Sequence, residues 1–253
     1  MNKAGRLEEI NKELRNKKVM SIKELAGILD VSEMTVRRDV AELEKNNVVD
    51  VFFGGVSLSE TGPQYYQIEK EVGRMMEEKK RIARKAVSLI EPLDVILIDT
   101  GSTTGLMIDY LPDNMNHIVY CYALNIINGV CSRPNLSVVT CGGYFHRNTY
   151  MFESEEGADL LRKAQLNKIF MAARGISKEK GITTAEPYEI EMKKAALSAS
   201  EDKILLADST KFGKAWYAKY ADLSEFNIII TDDKLDDMYR KIIEDIGITL
   251  YTV

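Results

Sequence analysis

A loop of glycine and hydroxyl residues directly follows a short apolar run. Val95–Ile98 has the composition of a buried strand, and residues 99–105, which read Asp-Thr-Gly-Ser-Thr-Thr-Gly, precede a helical pattern. Backbone N–H groups and hydroxyls in such a loop can converge on an anion, and the N-terminus of the following helix favours negative charge. The loop therefore predicts a phosphate-binding site, although a plain capping turn uses the same residue types.

A second polar segment follows another apolar run. Residues 203–207 are followed by Asp-Ser-Thr-Lys-Phe-Gly at 208–213. Lys211 can neutralise a phosphate, and Asp208 can accept hydrogen bonds from sugar hydroxyls. Ligands of parallel sheets bind at the carboxyl ends of the strands, so the two loops are expected at one edge. The alternative is a turn with a surface lysine.

A different chemistry is indicated near the N-terminus, in residues 33–45. At about 100° per residue, Val36, Val40 and Leu43 fall on one face of a helix. The opposite face and its flanks carry Met34, Thr35, Arg37, Arg38, Ala41 and Lys45. One face can hold a fold together while the other enters the major groove of DNA, where arginine pairs bidentately with guanine.

The positions on this helix predict individual contacts. Met34, Thr35 and Arg38 lie on the first turns and are the candidates for contacts with bases. Arg37, together with Lys23 on the preceding helix, is expected to contact phosphates, which position the protein without specifying sequence. The alternative is that the arginine pair is only a solvated helix face.

The elements around this helix predict a small DNA-binding domain in residues 1–57. Ser21 and Glu24 form a capping-box pattern at the start of a second helix. Ser32 is the expected N-cap of the third helix and belongs to the candidate DNA-contacting set. A β-like run at 48–53 ends in two glycines. Three short helices followed by a hairpin predict a winged helix-turn-helix.

The rest of the chain predicts a larger domain of a different class. Residues 58–73 are expected to form a linker, and a helix is predicted from about Glu71 to Ile90, before Pro92. In the domain at 74–253, helical patterns alternate with seven apolar runs: Val95–Ile98, Ile118–Tyr122, Leu136–Thr140, Lys168–Ala172, Lys203–Ala207, Ile228–Thr231 and Ile248–Tyr251. This alternation predicts a Rossmann-like, mostly parallel α/β sheet, so the fold class is α/β.

The composition of the chain argues against a membrane protein, a disulfide-bonded protein and a metalloprotein. The net charge is −5, yet residues 1–23 hold seven basic and three acidic residues, which suits a phosphate-binding end on an acidic protein. No apolar run is long enough for a membrane span, and no signal peptide is visible, so a cytoplasmic protein is expected. Three cysteines without close spacing predict reduced thiols. With two histidines, no metal site is predicted, and no cofactor is expected.

The predicted recognition helix resembles a known family. Residues 31–40, Val-Ser-Glu-Met-Thr-Val-Arg-Arg-Asp-Val, followed by Leu43-Glu44, resemble the VSxxTIRRDLxxLE signature of DeoR-type regulators. The resemblance implies a transcription factor, usually a repressor of sugar catabolism genes. The wing departs from the pattern, because Val51 and Phe53 stand where the family carries arginine and histidine.

The resemblance extends over nearly the whole chain and implies the effector site. Residues 99–104, 208–213 and 181–184 and the pair Gly142-Gly143 resemble the sensor motifs of the family, whose fold is similar to ribose-5-phosphate isomerase and glucosamine-6-phosphate deaminase. Glu189 and Lys193 match the helix that follows residues 181–184 in the family. The residues implied for the phosphate are Gly101, Ser102, Thr103, Thr104 and Lys211. Those implied for the sugar are Asp99, Asn125, Glu189 and Asp208, with Gly142 also in the site.

Two bulky residues depart from the sensor pattern. Tyr122 stands in a segment where the family has small polar residues, and Arg174 stands in a segment that is usually rich in glycine. Either side chain can reshape the pocket. Arg174 can add a phosphate contact, or it can form only a salt bridge at the surface, and the sequence leaves both open.

Three functional hypotheses follow. In the first, a homodimer or homotetramer binds double-stranded operator DNA, and a phosphorylated sugar changes how its DNA-binding units are presented. In the second, the chain is a sugar-phosphate isomerase or deaminase with an added helical domain. In the third, the larger domain has lost its ligand and serves only dimerisation.

Overall fold

The structure, a computed structural model, describes residues 2–45, 48–52, 55–59, 68–112, 117–216 and 218–253. The chain divides into two compact units, Met1–Tyr66 and Gln67–Val253. Among the described residues, no helix has the length and apolarity needed to cross a membrane.

The first unit contains three helices and a small antiparallel sheet. Its elements are α1 (Lys3–Lys17), β1 (Val19–Met20), α2 (Ile22–Leu29), α3 (Glu33–Lys45), β2 (Val49–Phe52) and β3 (Gly55–Leu58). The strand order is β1-β3-β2, and both pairs are antiparallel. The predicted winged helix-turn-helix is confirmed for the described residues.

Local sequence explains where α2 and α3 begin. The Ser21 hydroxyl accepts from the Glu24 N–H while the Glu24 carboxylate accepts from the Ser21 N–H, which is the predicted capping box. The Ser32 hydroxyl accepts from the Thr35 N–H at 3.2 Å, so Ser32 caps α3 as expected. Between the helices, Asp30 adopts a left-handed conformation with φ 51° and turns the chain.

The second unit is an α/β domain built on a parallel sheet. Its elements in chain order are α4 (Ile68–Val72), α5 (Met76–Val87), β4 (Val95–Ile98), a 3-10 helix (Thr104–Tyr110), β5 (His117–Cys121), α6 (Leu124–Cys131), β6 (Leu136–Thr140), β7 (Tyr144–His146), β8 (Met151–Glu153), α7 (Glu155–Lys163), β9 (Leu166–Ala172), β10 (Gly175–Ser177), β11 (Gly181–Thr184), α8 (Glu189–Ser198), β12 (Ser200–Leu206), β13 (Ala218–Ala221), β14 (Ile228–Thr231), α9 (Asp237–Asp245) and β15 (Thr249–Thr252).

The main sheet has seven parallel strands in the order β15-β14-β12-β9-β4-β5-β6. Each of the seven apolar runs forms one of these strands, so the predicted mostly parallel α/β class is confirmed. The strand order reverses direction between β4 and β9. In open α/β sheets, the crevice at the carboxyl ends beside such a reversal is the usual place for a ligand.

Two predicted helices differ from the structure. The helix expected over 71–90 is divided into α4 and α5, because Met75 adopts a left-handed conformation with φ 52° and ends the helical hydrogen-bond ladder. The segment after β4 forms a seven-residue 3-10 helix, where an α-helix was expected. Its hydrogen bonds and dipole are poorer than those of an α-helix, which weakens one argument for the anion site.

Both ends of the predicted linker at 58–73 lie in regular secondary structure. Leu58 ends β3, and α4 occupies residues 68–72. Most of the segment between them, residues 60–67, lies outside the described residues. The domain boundaries at 57 and 73 therefore stay predictions.

Short antiparallel strands lie beside the main sheet and were not foreseen. Strands β7 and β8 form a hairpin, and β10, β11 and β13 form a three-stranded sheet. The hairpin joins the carboxyl end of β5, because the Phe152 N–H donates to the Tyr122 carbonyl at 2.7 Å. Strand β10 also meets the second predicted loop, through an isolated bridge between Ile176 and Phe212.

The three cysteines are free, as the sequence predicted. Cys121 and Cys141 are buried, and burial raises their pKa to about 12 and about 11. Thiols with such pKa values stay protonated and unreactive at neutral pH.

Candidate DNA-binding and effector sites

Helix α3 has the two faces that the sequence predicted. Val36, Val40 and Leu43 are buried against the rest of the first unit. On the other side, Met34 is 61 % exposed, and Arg37 and Arg38 are exposed as well, while Thr35 is partly buried. A long apolar side chain beside two arginines on an exposed helix face is suited to base edges and phosphates of DNA.

A buried ion pair fixes the orientation of α3. Arg6 of α1 donates through Nε to Asp39 Oδ2 at 2.7 Å and through Nη2 to Asp39 Oδ1 at 3.3 Å. Asp39 is buried, and a bidentate pair is the strong form of this interaction. The pair sets the rotation of α3, because Asp39 follows directly after Arg38. Sequence reasoning missed it, since the partners are 33 residues apart.

The other predicted DNA-contacting residues of the first unit are also at the surface. Lys23 is exposed on α2, and Ser32 lies at the start of α3 with its hydroxyl 3.0 Å from that of Thr35. Arg37 lies 4.0 Å from Glu33, which is a weak surface pair. Within the part of the chain that the structure describes, no ion pair involves Lys23 or Arg38. Their charges are available to a partner.

The wing is described in part. Val51 and Phe52 are 43 % and 47 % exposed, so this strand presents apolar side chains at its surface. Phe53 and Gly54 lie outside the described residues. The expected loss of polar wing contacts at Val51 and Phe53 stays a prediction.

In the second unit, Asp99 lies at the point where the strand order reverses. It follows β4, and its side chain is fully buried. Three donors surround its carboxylate: the Tyr122 hydroxyl at 2.6 Å, the Ala172 N–H at 2.9 Å and Lys193 Nζ at 2.5 Å. Ala172 ends β9, so Asp99 ties together the two strands that flank the crevice.

Lys193 links this carboxylate to a second one. Its ammonium group lies 3.7 Å from Glu189 and 5.1 Å from the centre of the Tyr220 ring. Burial raises the pKa of Glu189, and Lys193 and a hydrogen bond from Thr184 partly oppose that shift. Asp99 and Glu189, two predicted sugar contacts, are therefore covered by protein groups, and direct contact with a sugar requires these groups to move.

Tyr122 is the first of the two bulky departures. It is fully buried, and its hydroxyl donates to Asp99. Burial and the neighbouring Asp99 raise the pKa of this hydroxyl well above its usual value, so it remains a donor at neutral pH. Tyr122, which directly follows β5, is therefore the third donor to the Asp99 carboxylate, beside Ala172 and Lys193.

The glycine and hydroxyl loop packs tightly against β9. A Cβ atom on Gly101 would lie 2.7 Å from the Ala172 Cβ, so only glycine fits there. The Thr104 hydroxyl donates to the Gly101 carbonyl at 3.2 Å, and Thr103 is buried. Ser102 is partly exposed and is the hydroxyl of the predicted phosphate set with the most access to solvent. The loop lies at the predicted edge.

Asn125 stands beside this loop with an unsatisfied acceptor. A Cβ atom on Gly105 would lie 2.9 Å from Asn125 Nδ2, which places the amide against the loop. Asn125 Oδ1 is buried, and no donor among the described residues reaches it. A buried acceptor without a donor costs about 1–3 kcal/mol, so a hydroxyl from a bound molecule would stabilise this atom.

Gly142 is apart from this group. It follows the edge strand β6 and is exposed. Its carbonyl accepts from the Ser154 hydroxyl at 2.7 Å, at the start of α7. The contact shown for Gly142 is therefore with α7, and its predicted effector role stays a prediction.

Lys211 lies in a cluster of charged side chains centred on Glu71. Lys211 Nζ and Arg174 Nη1 lie 2.9 Å and 2.8 Å from Glu71 Oε2. Arg74 lies 3.1 Å from the other oxygen. The Glu71 side chain is only 7 % exposed. Burial raises the pKa of this carboxyl, but Lys211 and Arg174 outweigh the burial and lower it to about 2.

Lys79 and Asp208 complete the cluster. Lys79 is fully buried, and its ammonium group donates to the Glu71 carbonyl at 2.5 Å. Burial and the nearby Lys211 lower the pKa of Lys79 to about 8. Asp208 is buried, accepts from the Thr210 N–H at 3.1 Å and lies 3.9 Å from Lys211. The predicted pair of Asp208 and Lys211 is therefore brought together.

Arg174 lies largely inside the second unit. Its side chain is 13 % exposed, and its guanidinium stacks on the Trp216 ring at 4.9 Å from the ring centre. It is therefore a largely buried partner of Glu71 rather than a surface salt bridge.

Several residues of the candidate site could not be identified from local sequence patterns. Glu71 lies 140 residues from Lys211, inside the predicted linker, and Lys79 reads as one of many charged residues on an amphipathic helix. Lys193 was noted only through the family resemblance. Their roles depend on the folded arrangement of α4, α5 and α8 and not on local spacing.

Two family models match this chain, one in each unit. The model of the DeoR-like helix-turn-helix domain matches residues 6–61, and that of the DeoR C-terminal sensor domain matches residues 74–233. Among solved structures, ribose 5-phosphate isomerase A from Methanocaldococcus jannaschii is 16 % identical, covers 67 % of this chain and 65 % of its own, and has a TM-score of 0.42.

Curated relatives match over almost the full length. The regulator IolR of Bacillus subtilis is 32 % identical over 94 % of this chain and 95 % of its own. The deoxyribose operon repressor of Escherichia coli is 30 % identical over 93 % of both chains. The lactose phosphotransferase system repressor of Staphylococcus epidermidis is 33 % identical over 95 % of this chain and 96 % of its own. The chain belongs to the DeoR family of helix-turn-helix transcriptional regulators.

Proposed function

We propose that this protein represses genes of carbohydrate metabolism and that a phosphorylated sugar controls its binding to double-stranded operator DNA. The observation that carries the proposal is the cation cluster of Lys79, Arg174 and Lys211 at the carboxyl edge of a parallel sheet, in a chain that also presents an arginine-bearing recognition helix. One relative is named a deoxyribose operon repressor and another a lactose phosphotransferase system repressor, which supports the regulatory target.

On the DNA side, α3 enters the major groove. Arg38, Met34 and Thr35 contact bases, and Arg37 and Lys23 contact phosphates. Ser32 holds the start of α3 through its capping bond to Thr35. Arg6 positions the helix through Asp39.

On the effector side, Lys211 binds the phosphate of the sugar. The loop residues Gly101, Ser102, Thr103 and Thr104 border the same edge and supply N–H and hydroxyl donors. Asn125 Oδ1 accepts from a sugar hydroxyl, which gives this orphaned atom a partner. Asp99, Glu189 and Asp208 shape the pocket through the lysines that they hold.

Control requires that the effector favours one arrangement of the DNA-binding units. A ligand shifts an equilibrium only by the difference between its affinities for the two states. A homodimer or homotetramer with two-fold symmetry would place two recognition helices on a palindromic operator. Such a regulator acts in the cytoplasm, where bacterial DNA lies.

We propose no enzymatic role for this domain. The carboxylates that could transfer protons are covered: Asp99 and Glu189 are paired with Lys193, and Asp208 is buried beside Lys211 and accepts from the Thr210 N–H. A general base must reach its substrate within hydrogen-bond distance. The buried network is therefore assigned to holding the strands of the pocket together.

A thermal-shift screen of phosphorylated sugars, with the unphosphorylated sugars as controls, tests the proposal. A ligand present at about 100 times its Kd stabilises the native state by about 2.7 kcal/mol, which raises the melting temperature measurably. The shift should require phosphate and vanish in Lys211→Ala. Lys219→Ala is the matched control, because Lys219 is an exposed lysine of the same unit that pairs only with Asp222 among the described residues. No shift with any sugar phosphate would contradict the sensor assignment.

A further inference from the structure

The Glu71 carboxylate occupies a position built for an anion. One oxygen contacts two cations, Lys211 at 2.9 Å and Arg174 at 2.8 Å, and Arg74 contacts the other oxygen. The buried Lys79 donates to the Glu71 main-chain carbonyl. Four cations thus surround two carboxylates, those of Glu71 and Asp208, so the cluster carries an excess of positive charge.

The segment that supplies Glu71 is short and separated from its neighbour. Helix α4 has five residues, and the left-handed Met75 interrupts the chain between α4 and α5. A helix of this length is not stable by itself and depends on its contacts. The Glu71 side chain makes two contacts that join α4 to the rest of the unit, with Lys211 and Arg174, while its pair with Arg74 is local. The Ile68 N–H also donates to the Asn148 carbonyl at 3.0 Å, and the Tyr150 hydroxyl donates to Glu69.

We propose that Glu71 is a built-in competitor that occupies the phosphate position of the effector site, and that a phosphate dianion displaces it and releases α4. This inference rests on the proposed function, because it names the step by which the same site is controlled. It also assigns Arg174 and Lys211 together as the phosphate-binding pair.

Exchange of one anion for another explains why the ligand must be phosphorylated. A bound phosphate offers more charge and more acceptor oxygens than one carboxylate, so it satisfies Arg174 and Lys211 when Glu71 leaves. A neutral sugar cannot replace a carboxylate there, because two largely buried cations would lose their counter-charge. Helix α4 is the first helix of the second unit, so its release acts at the end of this unit that is nearest in sequence to the first.

Titration of the full chain with inorganic phosphate, by calorimetry at constant ionic strength, tests the competition. Glu71→Gln keeps the shape of the side chain and removes its charge, so phosphate should bind at least about tenfold more tightly than to the wild type, within the usual range of coupling between two ligands. Adding Arg174→Ala to Glu71→Gln should abolish the gain. Equal affinity in Glu71→Gln and the wild type would overturn the proposal.

Glu77→Gln is the matched control. Glu77 is an exposed carboxylate that pairs with Lys80 at 2.8 Å, and its loss removes the same charge away from the cluster. It should leave phosphate affinity at the wild-type value. A gain equal to that of Glu71→Gln would mean that net charge alone is responsible and would overturn the proposal.

A second measurement uses the wild-type chain and does not depend on how the variant folds. Saturating inorganic phosphate should accelerate hydrogen exchange of the backbone amides in residues 69–74, because α4 loses the contacts of Glu71. Unchanged or slower exchange there would overturn the proposal.

The same variants separate this inference from the proposed function. If a sugar phosphate changes DNA affinity equally in the wild type and Glu71→Gln, and phosphate binds both equally, the sensor function stands and the competitor is rejected. If Glu71→Gln binds phosphate more tightly but no sugar phosphate changes DNA affinity, the competitor stands and the regulatory function is rejected.

Discussion

The predicted binding residues of the two units carry their positive charge in opposite ways. In the first unit, Lys23 and Arg38 are exposed and form no ion pair with a described residue. In the second unit, Lys79 and Lys193 are fully buried, and Lys211 and Arg174 are largely buried, each beside a carboxylate or carbonyl. A DNA phosphate can contact Lys23 and Arg38 without displacing another anion, whereas an anion that binds Lys211 or Arg174 must displace the Glu71 carboxylate.

This difference has a functional meaning. Free surface cations bind DNA phosphates by releasing counterions, so their binding is always available and depends on salt. Cations that are already paired bind a new anion by exchange, so small differences in affinity decide the occupant. On the proposed function, the DNA-binding unit is always able to bind DNA, and a ligand shifts the equilibrium between two anions in the sensor unit.

Removing a buried cation should have the largest effect on stability. Lys193→Ala leaves Asp99 fully buried without its ammonium partner, and breaking such a pair costs about 3–5 kcal/mol. Urea unfolding measures this loss. Lys194→Ala, one residue away and exposed, should change the free energy of unfolding by less than about 0.5 kcal/mol. If both variants lowered the free energy of unfolding equally, the claimed difference between buried and exposed cations would be wrong.

Acid should weaken the sensor unit through Glu71. Its pKa is about 2 in the folded chain against 4.5 for the free group, so the folded state favours the carboxylate. The resulting stability is fully present above pH 4.5 and is lost as pH falls through 2. It amounts to about 3 kcal/mol, of which roughly 2 kcal/mol is gone by pH 3. The free energy of unfolding between pH 6 and pH 3 should therefore fall by that much more in the wild type than in Glu71→Gln, and parallel curves would contradict the strength of the cluster.

Removing the exposed arginine should affect binding and not stability. Arg38→Ala should weaken binding to a selected duplex by about 1–3 kcal/mol, because a bidentate contact with a base is lost. Its melting temperature should stay close to that of the wild type, since Arg38 has no described ion pair. Fluorescence anisotropy with the selected duplex and a scrambled one measures the difference. An equal loss on both duplexes would assign Arg38 to phosphate contacts.

The smallest expected effect is that of a single phosphate contact. Lys23→Ala should weaken binding to all duplexes by similar factors and reduce the slope of log affinity against log salt by about one. A titration series between low and moderate salt measures that slope. A sequence-dependent loss would show that Lys23 takes part in base recognition.

The sequence was sufficient for features that depend on local pattern. Apolar runs such as Val95–Ile98 predicted the strands, because a parallel sheet buries both faces of each strand. Ser21 and Ser32 predicted where α2 and α3 begin. Each serine hydroxyl accepts a hydrogen bond from the backbone N–H three residues later, so the signal is local. The two faces of α3 followed from helical periodicity.

Features that depend on distant partners were missed. Asp99 meets Lys193 across 94 residues, and Lys211 meets Glu71 across 140. No local spacing encodes such pairs, since only the order of the strands brings them together. The left-handed Met75 was also unforeseen, because nothing in its type favours that conformation. The predicted phosphate loop follows β4, as expected, and its role stays a prediction, but the close contact of Gly101 with Ala172 of β9 was not foreseen.

Control of DNA binding by a phosphorylated sugar is tested most directly by an affinity titration. The wild-type chain is bound to a duplex selected from a random pool, and anisotropy is followed as phosphorylated sugars and their unphosphorylated forms are added. We expect one sugar phosphate to change the affinity for the duplex at least about fivefold, its unphosphorylated form to have no effect, and Lys211→Ala to bind the duplex without responding. Binding to the duplex that no sugar phosphate alters would contradict the regulatory function, and no selected duplex at all would contradict the role of α3.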